Sequence, residues 1–192
     1  MKKFTITIQG TAPMLMHSAR LSNPLDPIAK AMKKVSSKRS KTDDDHLEMA
    51  RLEHAGGLYF DDEIGPYVPG DNIWRCIQDA AKKRKLGQQI KSGLIVTTDV
   101  NPLAYSGPRT VDGLWEDENF RHQASVKVQT SRVIRTRPIF REWATEAECI
   151  YDPAQLDMAD IEAIVEIAGT IIGLGDWRPR FGRFEATIEQ GK

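Results

Sequence analysis

The sequence predicts an α+β fold with the element order βαββαβ. Three observations support it: a strand-like alternation at the N-terminus, two stretches of helical periodicity far apart in the chain, and strand signals between and after them. In the first strand Phe4, Ile6 and Ile8 alternate with Thr5, Thr7 and Gln9, and Gly10 and Pro13 end it. The first helix follows Pro69 and Gly70, with Asp71 or Asn72 as cap and Ile73, Trp74, Ile77, Ala80 and Ala81 on one face. Lys82, Lys83, Arg84 and Lys85 crowd its last turn, where the helix dipole favours cations, and Gly87 stops it. Strands over 125–137 and 139–151, separated by Pro138, form the middle pair. The second helix spans 158–172. Asp157 caps it with Asp160 at N3, Leu156 and Ile161 staple its start, and Gly173 takes the left-handed position after its end. A last strand runs over 181–188. Segments 58–60 and 67–68 suit a small hairpin, and 94–96 is a further short strand candidate. This order is the split βαβ pattern of the ferredoxin-like, or RRM-like, fold, read as one domain over 1–192.

Two stretches read as insertions into that core. The first, 19–56, is long and basic: Lys30, Lys33, Lys34, Lys38, Arg39 and Lys41 crowd among serines after Pro24 and Pro27. Asp43, Asp44 and Asp45 then open a short helix over 44–54 that Gly56 and Gly57 end. The basic stretch has few apolar anchors and is expected to be mobile without a ligand. The second insertion, 99–124, is loop-like, with Pro102, Gly107, Pro108, Gly113 and an acidic run of Asp112, Glu116, Asp117 and Glu118.

Composition bounds the function. Twenty-seven Lys and Arg balance 27 Asp and Glu, so the chain has no overall basic field and a nucleic-acid site must be a local patch. Cys76 and Cys149, placed on a helix and a strand, do not suggest a disulfide framework, which points to a reducing compartment. The N-terminus lacks the apolar core of a signal peptide, and the apolar stretch near 161–174 carries Glu162 and Glu166. The expectation is a cytoplasmic protein with no membrane contact.

The run Gly173-Leu174-Gly175-Asp176-Trp177-Arg178-Pro179-Arg180-Phe181-Gly182-Arg183-Phe184 resembles the glycine-rich loop of the RAMP superfamily. That superfamily holds the CRISPR RNA-binding backbone subunits and the CRISPR RNA-processing endoribonucleases. Residues 67–75, Tyr-Val-Pro-Gly-Asp-Asn-Ile-Trp-Arg, are similar to the family's Ile-Pro-Gly-Ser-Ser helix start, with Asp71-Asn72 in place of Ser-Ser. The resemblance implies a nucleic-acid-binding fold and, as partners, the other subunits of a ribonucleoprotein complex. The short chain suits a stand-alone relative from a phage or mobile element.

The loop has suitable chemistry of its own. Arg178, Arg180 and Arg183 are forked donors for phosphate oxygens, Trp177 and Phe181 offer faces for bases, and glycines let backbone amides approach a phosphate. The bland account is a tight turn whose arginines pair with surface carboxylates. Lys30 to Lys41 would neutralise further phosphates, or form a solvated loop. Arg135 and Arg137, near Arg132 and Lys127, would add to the patch or pair with Glu142, Glu146 or Glu148.

Catalytic signals are scattered over His17, His46, His54 and His122. His46 and His54, eight apart beside three aspartates, lack the ligand number and spacing of a zinc site. His17 and Asp26 are the candidates for strand cleavage, and the residues around Asp26 read equally as a proline turn. The expectation is therefore a non-enzymatic module without metal or cofactor. It binds single-stranded RNA or DNA along the backbone and self-associates head to tail. The rival readings are an endoribonuclease of the same superfamily and a structural module that makes only protein contacts.

Overall fold

The structure, a computed structural model, describes residues 1–128 and 130–191. Gln129, within the strand expected over 125–137, and Lys192 lie outside the described residues. The strands are β1 (Lys2–Gly10), β2 (Met14–Leu15), β3 (Phe60–Asp61), β4 (Gly65–Pro69), β5 (Leu94–Val96), β6 (Val100–Pro102), β7 (Arg121–Val128), β8 (Ser131–Phe140), β9 (Ala144–Tyr151) and β10 (Phe184–Gln190). The helices are α1 (Pro27–Ser36), α2 (Asp43–Gly57), α3 (Gly70–Lys83), α4 (Gly87–Gly93), α5 (Val111–Glu116) and α6 (Met158–Ile167). Among the described residues, no helix is long and apolar enough to cross a membrane.

The main sheet has the order β10-β1-β9-β5, with every neighbouring pair antiparallel. Taken as β1, α3, β5, β9, α6 and β10, this is the split βαβ arrangement of the ferredoxin-like fold. The N-terminal alternation sets the register: Phe4 pairs with Cys149 and Ile6 with Ala147, all four buried. The inner face packs on Ile73, Cys76 and Ile77 of α3 and on Ile161, Ile164 and Val165 of α6. Both cysteines are buried and free, and burial pushes each thiol up to about 12.

The middle strands differ from expectation. They are β5, in place of 125–137, and β9, which is the C-terminal part of 139–151. The alternation over 125–137 belongs to a hairpin, β7–β8, which joins β2 in a separate sheet of order β2-β8-β7. The reason lies at Trp143. Its indole turns into the core beside Gly10, whose missing Cβ would fall 2.3 Å from the indole nitrogen, and its N–H donates to the Ala12 carbonyl at 2.9 Å. The chain bends there, so 139–151 is two strands in two sheets.

Helix boundaries shift for local reasons. Neither Asp71 nor Asn72 caps α3: Pro69 holds the cap position, without a side-chain bond. Lys85 takes the left-handed turn at φ 63°, and Gly87 opens α4 instead of closing a segment. The second core helix is α-helical only to Ile167 and widens into a π-turn over Ala168–Ile172, and Gly173 follows with φ 81°. The last strand starts at Phe184, three residues later than expected.

The basic insertion is ordered into helices. Pro27 occupies the first turn of α1 instead of breaking it, because a missing N–H costs nothing there. Asp26 caps that helix, accepting from Ile28 N at 2.8 Å and Ala29 N at 3.3 Å. Thr42 and Asp45 form a reciprocal capping box at the start of α2. The stretch expected to be mobile thus carries α1, whose Val35 is buried. In the second insertion α5 forms behind a Thr110 cap.

Glu53 of α2, only 5% exposed, fastens the hairpin to this insertion. It accepts from Thr136 N at 2.8 Å and pairs with Arg135. Removing it leaves a buried amide without an acceptor. Glu53→Ala is expected to cost about 2 kcal/mol in urea unfolding and to speed amide exchange in β7 and β8 more than in the main sheet.

Candidate nucleic-acid interface

The loop after α6 is built by close backbone approach. A Cβ on Gly182 would fall 1.7 Å from the Leu174 carbonyl oxygen, and one on Gly175 would fall 2.2 Å from that of Leu15. Both residues have positive φ, 74° and 77°. Gly182 N donates to Pro13 O and Asp176 N to Leu15 O, each at 2.8 Å, which ties the loop to the segment after β1. Gly173, Leu174 and Phe181 amides also donate to chain carbonyls. Many of the amides expected to face a phosphate are therefore turned inward, and the side chains carry the polar surface of the loop.

Trp177 and Phe181 are half-buried and packed with the hairpin base. His122 of β7 meets both edge-on, at 5.4 and 5.3 Å between ring centroids. The Arg137 guanidinium lies 4.7 Å from the Trp177 ring centre, and that of Arg180 5.6 Å from the Phe181 ring centre. Arg137 also pairs with Asp176. The two rings thus already have partners within the chain. Arg180 and Arg183 are exposed, and the Arg183 carbonyl accepts from Thr11 and Ala12.

Arg178 reaches across to α3. It lies 3.9 Å from Asp79, which also holds Lys82 at 2.7 Å and Arg75 at 3.5 Å. Three cations therefore share one carboxylate. Desolvation opposes ionisation of Asp79, but Lys82, Arg75 and Arg178 together hold its pKa below the usual carboxylate value. Beside this group opens a cleft of about 190 Å³ lined by His17, Tyr59, Asn72, Arg75, Gly175, Asp176 and Arg178. A second cleft, of about 250 Å³, meets it at His17 and is lined by Arg135, Arg137, Glu53 and Met32 among others. Desolvation and then the Arg137 charge lower the pKa of the His17 imidazole below its ordinary value.

The structure therefore gathers Arg135, Arg137 and Arg178 around His17, with Arg180, Trp177 and Phe181 adjoining through Arg137. The insertion residues Lys30, Lys33 and Lys34 are exposed on α1, which borders the second cleft through Met32. Lys38 pairs with Asp45, Lys41 donates to the Lys38 carbonyl, and Arg39 is exposed. Sequence reasoning did not assign Arg75, Asp79, Asn72 and Tyr59 to the site. The i,i+4 spacing of Arg75 and Asp79 on the polar face of α3 was the available signal.

The open face of the main sheet has the opposite character. Exposed Glu146 and Glu148 of β9 and Glu185 and Glu189 of β10 flank Thr5, Thr7 and Gln9 of β1. That face is lined by carboxylates, whereas the clefts at His17 are lined by arginines.

Two candidates for catalysis have structural roles. Both oxygens of Asp26 are engaged: one caps α1 and the other pairs with Arg20 at 2.9 Å. His54 is fully buried, with Nε2 3.0 Å from the Phe120 carbonyl, and lies edge-on to Trp115, whereas His46 on the same helix is exposed.

No family model matches the chain, and no curated protein does. Among solved structures, the chain is similar to one in the cryo-EM structure of the Type III-B Cmr-beta bound to cognate target RNA. The identity is 14% and the TM-score 0.47, over 100% of this chain and 61% of that one. The present chain thus spans about three-fifths of its neighbour's length. The fold class follows from the sheet order β10-β1-β9-β5.

Burial drives the His54 pKa down to about 4, with Arg121 adding to the effect and the Phe120 hydrogen bond opposing it. Protonation therefore favours the unfolded chain, and the contribution of this residue is complete above pH 6.5 and lost as the pH falls toward 4. Stability is expected to drop by about 3 kcal/mol over that window from His54. Denaturant titrations of wild type and His54→Gln at pH 7 and pH 4.5 test this, with the smaller pH effect expected in the variant.

Proposed function

We propose that this protein holds a single-stranded nucleic acid by its phosphodiester backbone along the two clefts that meet at His17, and does not cleave it. The carrying observation is the charge imbalance at Asp79, where Arg75, Lys82 and Arg178 share one carboxylate beside an open cleft. A cluster of this kind is relieved by an anion, and two guanidinium forks suit phosphate oxygens. Arg135 and Arg137 continue the basic lining into the second cleft, although each has an internal carboxylate partner. The acidic open face of the sheet keeps the strand off the surface that an RRM-like fold would otherwise offer. The resemblance of the loop to the RAMP superfamily agrees with this reading and with a place in a ribonucleoprotein complex.

Self-association along the strand belongs to the same reading. Exposed Lys30, Lys33, Lys34 and Arg39 of one copy would face the acidic run around Glu116 of the next. Within that run Asp112 pairs with Arg51 and Glu118 with Arg121, so the contact is weak until a strand lines the copies up. The second reading is strand cleavage, and the observation favouring it is the exposed His17, its pKa lowered, between arginine-lined clefts.

Arg75→Ala and Arg178→Ala are expected to weaken single-strand binding similarly for all base compositions and to lower the salt slope by about 0.7 each. Filter binding over a salt series measures both. A loss that depends on base identity with an unchanged slope overturns the backbone reading. End-labelled RNA incubated with the protein is expected to stay intact, and scission that disappears in His17→Ala installs the second reading instead.

A further inference from the structure

We infer that the free edge of β10 is a docking slot for a basic, extended segment of another protein, which adds there as a fifth strand of the main sheet. The inference is independent of nucleic-acid binding. β10 pairs with β1 over Phe4 to Gly10 on one side and is the terminal strand of the sheet on the other. Beside it opens a cleft of about 680 Å³. Glu162, Val165, Glu166 and Thr170 follow one another at helical spacing down one side of that cleft, so α6 and the turn after it overhang the strand edge. Half-buried Ala186 and Ile188 line its floor. A fifth strand would lie about 4.8 Å beyond β10, under that overhang, with its main chain paired to the edge and alternate side chains against Val165 and Ile188.

The charge of the slot selects the occupant. Glu162, Glu166 and Glu185 line it, and among the described residues that line it there is no lysine or arginine. Glu185 and Glu189, exposed along the edge, repel a second β10, which disfavours edge-to-edge pairing of two copies. An incoming strand that alternates apolar residues with Lys or Arg meets both the apolar floor and the carboxylate rim.

The test uses fluorescence anisotropy with a labelled nine-residue peptide of alternating Val and Lys. Companion peptides carry Glu for Lys, or N-methyl groups on alternate residues to block main-chain pairing. Saturable binding of the Lys peptide is expected, weakened about tenfold or more by N-methylation and lost with the Glu peptide. The double variant Glu185→Lys/Glu189→Lys, on the exposed sheet face that the alternate lysines would share and with folding checked by circular dichroism, is expected to lose about tenfold. Amide shifts should move in β10 and α6. Absence of binding, indifference to N-methylation or charge reversal, or shifts confined to another face overturns the proposal. So does a concentration-dependent doubling of mass that the same double variant removes, because the slot would then belong to a second copy.

Discussion

The structure depends on one close approach. The loop over 173–182 folds so tightly on itself that the Leu174 carbonyl occupies the space of a side chain at Gly182, and it passes so near the segment after β1 that the Leu15 carbonyl occupies that space at Gly175. This contact joins the end of the second core helix to the end of the first strand. It aims Arg178 at α3 and Asp176 at the hairpin, so one backbone constraint sets the positions of guanidiniums from three elements. Glycine is needed because the backbone must have positive φ and because no atom beyond Cα fits.

Around that contact a chain of zero net charge is electrically divided. Carboxylates populate the open sheet face and the β10 edge, and arginines populate the clefts at His17. The charges of this small domain are thus segregated by surface, not mixed over it.

Much of the fold was legible in the sequence, because burial sets periodicity. The alternation in Phe4, Ile6 and Ile8 and the apolar faces of α3 and α6 marked the elements that pack the core. The middle strands were misplaced because β5 has only three residues, whereas the hairpin outside the core alternates over a longer run, with Val126, Val133 and Ile134 on its strands. Alternation shows that a segment is extended and is silent about which sheet it joins. Trp143 decides that question by a contact with Gly10, 133 positions away, and no local pattern carries it. The candidate site was half legible for a similar reason. Arginines dense in a glycine loop are visible locally, but the sharing of Asp79 between Arg75 and Arg178 is a relation between two elements far apart in the chain.

The π-turn over Ala168–Ile172 holds one residue more than a continuous α-helical turn would. Each residue of an α-helix turns its successor by about 100°, so the extra residue acts as an angular spacer between a rigid core helix and the loop it feeds. Deleting one residue there would leave the inner face of α6 in register with the sheet but swing everything after it through nearly a third of a circle. Arg178 would then leave Asp79, and Gly182 would leave Pro13. The turn therefore ties the aim of the arginines to the packing of the core, because Leu174, Phe184 and β10 all follow it in the chain.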